Sequence, residues 1–282
     1  MAVLEARNVS FSYPDGCEAL KGVSFKIEKG EFAGLIGQNG SGKTTLLQTF
    51  NGLIKPTGGE IIIKGKNIKE WEEDRLFRVV GLVFQNPDDQ LFAPTVFEDV
   101  SYGLVNMGLS KEDIAKRVEE TLKLVEIWEY RKKPVHNLSY GQKKRAAIAG
   151  VLAMEPEILI LDEPTAGLDP MGVSELMNLI KGIQAAKGMQ VIISTHDIDI
   201  VPLYCDRIYV MDSGRIVAEG TPAQVFREAK LLRSVRLRLP RVGHLMEILK
   251  EKDGFEFEGT AVTISEARKA LNKIRTVATG GG

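Results

Sequence analysis

The chain has 282 residues, 44% apolar and 27% charged, with a formal net charge of -1. That balance is ordinary for a globular protein of one large domain plus a small appendage, and it lacks the overall basic footprint of a nucleic-acid binder. Apolar runs such as 146–154 and 158–161 fall far short of the ~18 residues that span a bilayer.

The N-terminus has neither the basic start nor the apolar stretch of a signal peptide. Cys17 and Cys205 form no disulfide framework or metal-ligand spacing, so a reducing cytosol is the expected compartment.

Val3 to Phe11 and Val23 to Ile27 alternate apolar and polar residues, which predicts antiparallel strands, with a turn at Pro14-Asp15-Gly16 between them. Glu31 to Ile36 reads as a strand entering a glycine-rich loop, and Thr45 to Leu53 as a helix leaving it. Gly58 to Gly65 reads as a further strand. Val79 to Phe84 reads as a buried strand ending at Gln85, with a loop over 86–90. Thr95 and Glu98 form a capping box, and the chain from there to about 155 reads as mostly helical, including Lys111 to Glu126. Ile158 to Leu161 and Val191 to Ile193 are continuous apolar runs of the kind found in central parallel strands, separated by a helical pattern over 173–186. Asp206 to Val217 predicts a hairpin turning at Asp212-Ser213-Gly214. Beyond 221 the chain changes character. Thr221-Pro222 opens a helix, an arginine-rich stretch follows (Arg233, Arg236, Arg238, Arg241), and helices are predicted over 242–250 and 265–274. Gly280-Gly281-Gly282 reads as a disordered tail. There is no internal repeat.

The glycine-rich loop is Gly37-Gln38-Asn39-Gly40-Ser41-Gly42-Lys43-Thr44, which fits the phosphate-binding pattern at every specified position. Its glycines let backbone N–H groups wrap phosphates, Lys43 supplies a point charge, and Thr44 offers a hydroxyl to Mg²⁺. The following helix, with Thr45 in its first turn, aims its positive end at the same anion. Asp162 and Glu163 close an apolar strand at the sheet end where ligands bind, so Asp162 is the candidate for the Mg²⁺ shell and Glu163 for the general base. Ser139-Tyr140-Gly141-Gln142 is a second capping box whose helix N-terminus can receive an anion. His196 follows a parallel strand and is a candidate donor to a terminal phosphate. Gln85 is a candidate ligand for Mg²⁺ or water.

Taken in order, these motifs resemble the ATP-binding cassette (ABC) ATPases: phosphate loop, glutamine loop, the Leu138-Ser139-Tyr140-Gly141-Gln142 signature, the Asp162-Glu163 strand, Ala166-Gly167-Leu168-Asp169, and the switch His196. The resemblance covers residues 3 to 220. It implies an α/β P-loop NTPase: a mixed sheet core with an antiparallel β subdomain, a helical subdomain at about 86–156, and a small C-terminal appendage. The implied domains are 1–220 for nucleotide binding and 221–282 as an accessory dimerisation region. It also implies a head-to-tail dimer, with ATP and Mg²⁺ between one subunit's phosphate loop and the other's signature helix. Ser139, Gly141 and Gln142 then act in trans, Asp169 joins the two sites, and Tyr13 matches the aromatic that stacks on adenine. Tyr140 departs from the family's usual glycine. As the first helical residue after a cap it needs no positive φ, so tyrosine is sterically tolerable there.

A finer resemblance lies in Val83 to Phe92, Thr95 to Gly103, Ala149 to Met154 and Leu239-Pro240-Arg241. It is to the ATPase subunits of energy-coupling factor (ECF) transporters. That implies import of vitamins or transition-metal ions, at the cytoplasmic face of the membrane. The implied partners are a second ATPase (a copy or a paralogue), a transmembrane coupling protein and a substrate-binding membrane subunit, with no nucleic acid. Two other readings are a soluble ABC ATPase acting on nucleic acid or ribosomes, and a module that dimerises on ATP without turnover. The first usually carries paired cassettes or a long coiled coil, which this chain lacks, and the intact Glu163 and His196 argue against the second.

Overall fold

The computed structural model describes residues 2–257 and 259–279, so the terminal glycines read as a disordered tail lie outside the described residues. The chain starts with β1 (Ala2–Ser12), β2 (Glu18–Glu28) and β3 (Phe32–Gly37), then α1 (Lys43–Phe50), β4 (Gly58–Ile63) and β5 (Lys66–Asn67). Next come α2 (Glu73–Val79), β6 (Val80–Val83), α3 (Val96–Asn106), α4 (Lys111–Leu124) and α5 (Tyr140–Leu152). β7 (Ile158–Leu161), α6 (Pro170–Lys187), β8 (Gln190–Thr195), α7 (Val201–Tyr204), β9 (Arg207–Asp212) and β10 (Arg215–Gly220) follow. The last part holds α8 (Pro222–Arg227), α9 (Ala229–Ser234), α10 (Arg241–Glu251) and α11 (Ile264–Thr279).

Two sheets result. The first is antiparallel in the order β2-β1-β4-β5, and the second is mixed in the order β10-β9-β3-β8-β7-β6. In the mixed sheet all neighbours are parallel except the β9–β10 hairpin. β1 and β2 bury one face: Leu4, Ala6, Val9, Leu20, Val23, Phe25 and Ile27 point inward, as the sequence alternation requires. β3, β7 and β8 are buried on both faces, because one face meets the antiparallel sheet and the other meets helices. β7 divides its side chains accordingly. Ile158 and Ile160 join the antiparallel sheet's core, and Leu159 and Leu161 join the helical one.

Some elements differ from expectation. The α1 helix ends at Phe50, because Gly52 takes a left-handed φ of 82°. The short helices α2, α7 and α9 carry too few turns for a periodic pattern to show. The C-terminal part packs partly on itself, where Met246, Ala261 and Ala267 form a small cluster, and partly on the rest of the chain. Val225, Phe226, Leu232, Leu237, Leu239 and Val262 join the helical core. Asp199, three residues past His196, accepts hydrogen bonds from the Arg241 N–H at 2.6 Å and the Arg238 guanidinium at 2.9 Å.

Candidate active site

The carboxyl ends of β3, β6, β7 and β8 deliver the phosphate loop, Gln85, Asp162-Glu163 and His196 to one rim of the sheet. The phosphate loop turns into α1 at Gly42, whose φ is 103°, and a Cβ there would lie 2.6 Å from the Ala19 carbonyl oxygen. Only glycine serves at that position. Lys43 Nζ donates to the carbonyls of Gly37 at 2.9 Å and Gln38 at 3.0 Å, and stands 3.9 Å from Glu163 Oε1. Burial holds the Lys43 ammonium below its usual pKa, against the opposing pull of Glu163 and Asp162.

Thr44 Oγ1 donates to Asp162 Oδ2 at 2.6 Å, and the Ser194 hydroxyl donates to Asp162 Oδ1. Glu163 has a φ of 44°, a left-handed conformation that costs a non-glycine residue roughly 1–3 kcal/mol. Its N–H donates to Ser194 Oγ at 2.9 Å. Its Oε2 meets His196 Nδ1 at 2.8 Å and accepts the His196 N–H at 3.3 Å. Its Oε1 is buried without a hydrogen-bond partner among the described residues. An orphaned acceptor beside a lysine, at the mouth of a phosphate loop, is available to orient a water.

A cavity of about 530 Å³ lies over the loop, lined by Tyr13, Asn39, Gly40, Gly42, Lys43, Thr44, Thr45, Gln85 and Glu163 among the residues expected from sequence. The Tyr13 hydroxyl meets Thr45 Oγ1 at 2.9 Å, and its ring stands edge-on to Phe11 with centroids 4.9 Å apart. Gly37, Gln38, Ser41, Asp162 and His196 support the wall without lining it. The His196 side chain is 59% exposed and leans on Glu163 from outside. Gln38 turns away from the cavity, its amide donating to the Arg236 carbonyl at 3.0 Å. Ser139, Gly141 and Gln142 are not brought to this cavity within one chain. They do form the expected capping box at the start of α5. Sequence reasoning missed Cys17, Glu18, Lys21 and the Ser213-Gly214 turn, which close the cavity from the β1–β2 and β9–β10 hairpins.

It also missed Lys144, which is 1% exposed. Its Nζ donates to the Gln85 carbonyl at 2.6 Å and the Glu163 carbonyl at 3.1 Å. Burial draws its pKa down to about 8, opposed by Glu163 and Asp162. A signal was available in the sequence: Lys144 sits on the stripe 144, 147, 148, 151 of α5, whose other members are buried apolar residues.

Tyr140, the departure in the signature, begins α5 as expected. Its ring packs over Gly167, where a Cβ would lie 2.7 Å from the tyrosine Cε1 and φ is 79°. The tyrosine therefore fills a hollow that the glycine in Ala166-Gly167-Leu168-Asp169 leaves open.

This arrangement defines a P-loop nucleoside triphosphatase. The ABC transporter family profile matches residues 20–166. The energy-coupling factor transporter ATP-binding protein EcfA of Methanocaldococcus jannaschii is 54% identical over 274 residues, covering 96% of this chain and 97% of that protein. The solved structure of cbiO1 from Clostridium perfringens, described as part of the ABC transporter complex cbiONQ, is 52% identical. It superposes with a TM-score of 0.76 over 88% of this chain and 99% of the other. A dimeric, post-hydrolysis structure of the cassette MJ0796 with ADP and Pi is 32% identical, with a TM-score of 0.70 over 77% of this chain and 98% of the other. The chain belongs to the ABC transporter ATPases, in their energy-coupling factor branch. Its activity is ATP hydrolysis coupled to transport.

Proposed function

We propose that the chain powers an ECF-type importer of vitamins or transition-metal ions as half of an ATP-sandwich dimer docked on a membrane coupling protein. In this reading residues 1–220 form the nucleotide-binding domain, and 221–282 an accessory region that helps hold the dimer. The carrying observation is a site half-built in one chain. The cavity holds the phosphate loop, Gln85 and Glu163 but not the signature residues. Gly141 has no use for its missing side chain within its own fold, since a Cβ there would meet only Leu168 at an ordinary 3.7 Å. A glycine that its own chain does not require fits a close approach from outside, as a phosphate at the start of α5 would make. The dimeric MJ0796 relative supports the same assembly.

Lys43 and the loop amides neutralise charge spreading over the transferred phosphoryl group. Thr44, Asp162 and Gln85 are the residues that would hold Mg²⁺. No cluster of three or more His, Cys, Asp or Glu side chains that could hold a metal exists among the described residues. The hydroxyl, carboxylate and amide oxygens of Thr44, Asp162 and Gln85 suit an ion that completes its shell with water and phosphates. An ion held there would supply positive charge against the phosphates. Glu163 Oε1 takes the proton side of the attacking water, while His196 holds Oε2 and so the carboxylate's rotation. Tyr13 offers its ring to the base.

This chain offers such a membrane partner an apolar groove. Phe92 (66% exposed) and Tyr102 (51% exposed) meet edge-to-face on a groove also lined by Phe77, Met107 and Met154, of about 320 Å³. It lies beside the glutamine loop, where an apolar helix of a coupling protein can seat. No helix among the described residues is long and apolar enough to cross a membrane. The test is Glu163→Gln. Turnover should fall by roughly 100-fold or more while ATP binding persists and an ATP-bound dimer accumulates on a sizing column. Wild-type turnover in that variant would remove Glu163 as the general base.

A further inference from the structure

Three contacts join the glutamine loop to α5, the helix that begins with the signature. The Gln90 amide accepts the Phe84 N–H at 3.1 Å and donates to the Ala147 carbonyl at 2.8 Å. Lys143 pairs with Asp88 at 2.6 Å. Lys144 donates to the Gln85 carbonyl. Of these three, Lys144 alone also reaches the Glu163 carbonyl.

That second bond falls on a strained residue. Glu163 has a left-handed φ, its N–H is held by Ser194, and its carbonyl is held by the same ammonium that holds Gln85. Both ends of the peptide geometry that aims the carboxylate are thereby tied, one to β8 and one to α5. We propose that Lys144 is a positioning residue for hydrolysis: a buried ammonium spanning the glutamine loop and the base's backbone, which transmits movement of α5 to the carboxylate that orients water.

The charge itself supports this. A buried ammonium is expensive to desolvate, and a methionine of similar length would fill the space without that penalty. The fold retains the cation and surrounds it with two carbonyls and the Tyr140 ring, whose centroid lies 5.6 Å from Nζ. Neither carbonyl can be removed by mutation, so Lys144 is the point at which the link can be cut.

The proposal rests on Glu163 acting as the base, and its test separates the two. Steady-state ATP hydrolysis is measured on the full chain carrying Lys144→Met, Lys144→Gln, Glu163→Gln, and Glu163→Gln with Lys144→Met. Lys144→Met should lower kcat by roughly tenfold or more while KM for ATP stays within about twofold, because the residue does not line the cavity. Lys144→Gln, which keeps one donor group, should recover part of kcat and serves as the readable variant if the methionine chain folds poorly. On the Glu163→Gln background, single-turnover hydrolysis should fall no further when Lys144 is also replaced, since the group being positioned is already gone. Unchanged kcat in both Lys144 variants would overturn the proposal. So would equal losses in kcat and in the fraction folded, or a multiplicative loss in the double variant. Full turnover in Glu163→Gln alone would instead remove the general-base reading while leaving the Lys144 rates to be judged separately.

Discussion

The two cysteines differ in a way that chemistry can report. Cys17 is exposed and lines the nucleotide cavity beside Tyr13, whereas Cys205 is buried and its thiol is pushed far up by desolvation. A maleimide should label Cys17 and spare Cys205 in the folded chain. ATP should slow that labelling by roughly tenfold at saturation, since the bound nucleotide covers the thiol. Labelling of Cys17 that ATP leaves unchanged, followed by mass spectrometry of the tryptic peptides, would place the nucleotide elsewhere. The same scale shows why Glu163 reads poorly as an isolated residue. An acid after a strand is common, and what distinguishes this one is its φ of 44° and a buried oxygen without a hydrogen-bond partner among the described residues, neither of which a sequence displays.

At the scale of elements, α5 holds both the signature cap and Lys144. Ser139 accepts the Gln142 N–H at 3.3 Å, and the Gln142 side chain accepts the Ser139 N–H at 3.1 Å. Ser139→Ala should therefore destabilise the fold by about 1 kcal/mol, read by chemical denaturation. If the signature also acts across the dimer, ATPase activity should fall by more than that stability loss explains. Loss of stability with full activity would leave Ser139 as a cap only. This capping box was legible because Ser-x-x-Gln has a local mechanism, and so were the phosphate loop, the Thr95 box and the β9–β10 turn. The short helices α2, α7 and α9 were not, because four to seven residues cannot show a 3.6-residue period. Lys144 was visible as a charge on an apolar stripe, but its partners, the carbonyls of Gln85 and Glu163, come from distant strands that only the folded sheet brings together. The packing of 225–239 into the main core was equally hidden, since an arginine-rich segment reads as solvated.

At the scale of the molecule, the proposed dimer gives each chain halves of two different sites. The phosphate loop with Glu163 lies at one, and the start of α5 at the other. The C-terminal arginines are tied to both switch regions, through Asp199 after His196 and through Gln38 in the phosphate loop. Under the Lys144 proposal a motion of α5 reaches the site through that ammonium, while the appendage is joined by hydrogen bonds to the segment after His196 and to the phosphate loop. Mixing two disabled chains tests the shared-site claim most directly. Lys43→Ala spoils a phosphate loop but keeps its signature, and Gly141→Asp spoils a signature but keeps its phosphate loop. Each variant alone should hydrolyse almost no ATP. Their equimolar mixture should recover activity up to roughly a quarter of wild type, because half of randomly paired dimers carry one intact composite site out of two. A mixture no more active than either variant alone would contradict the account.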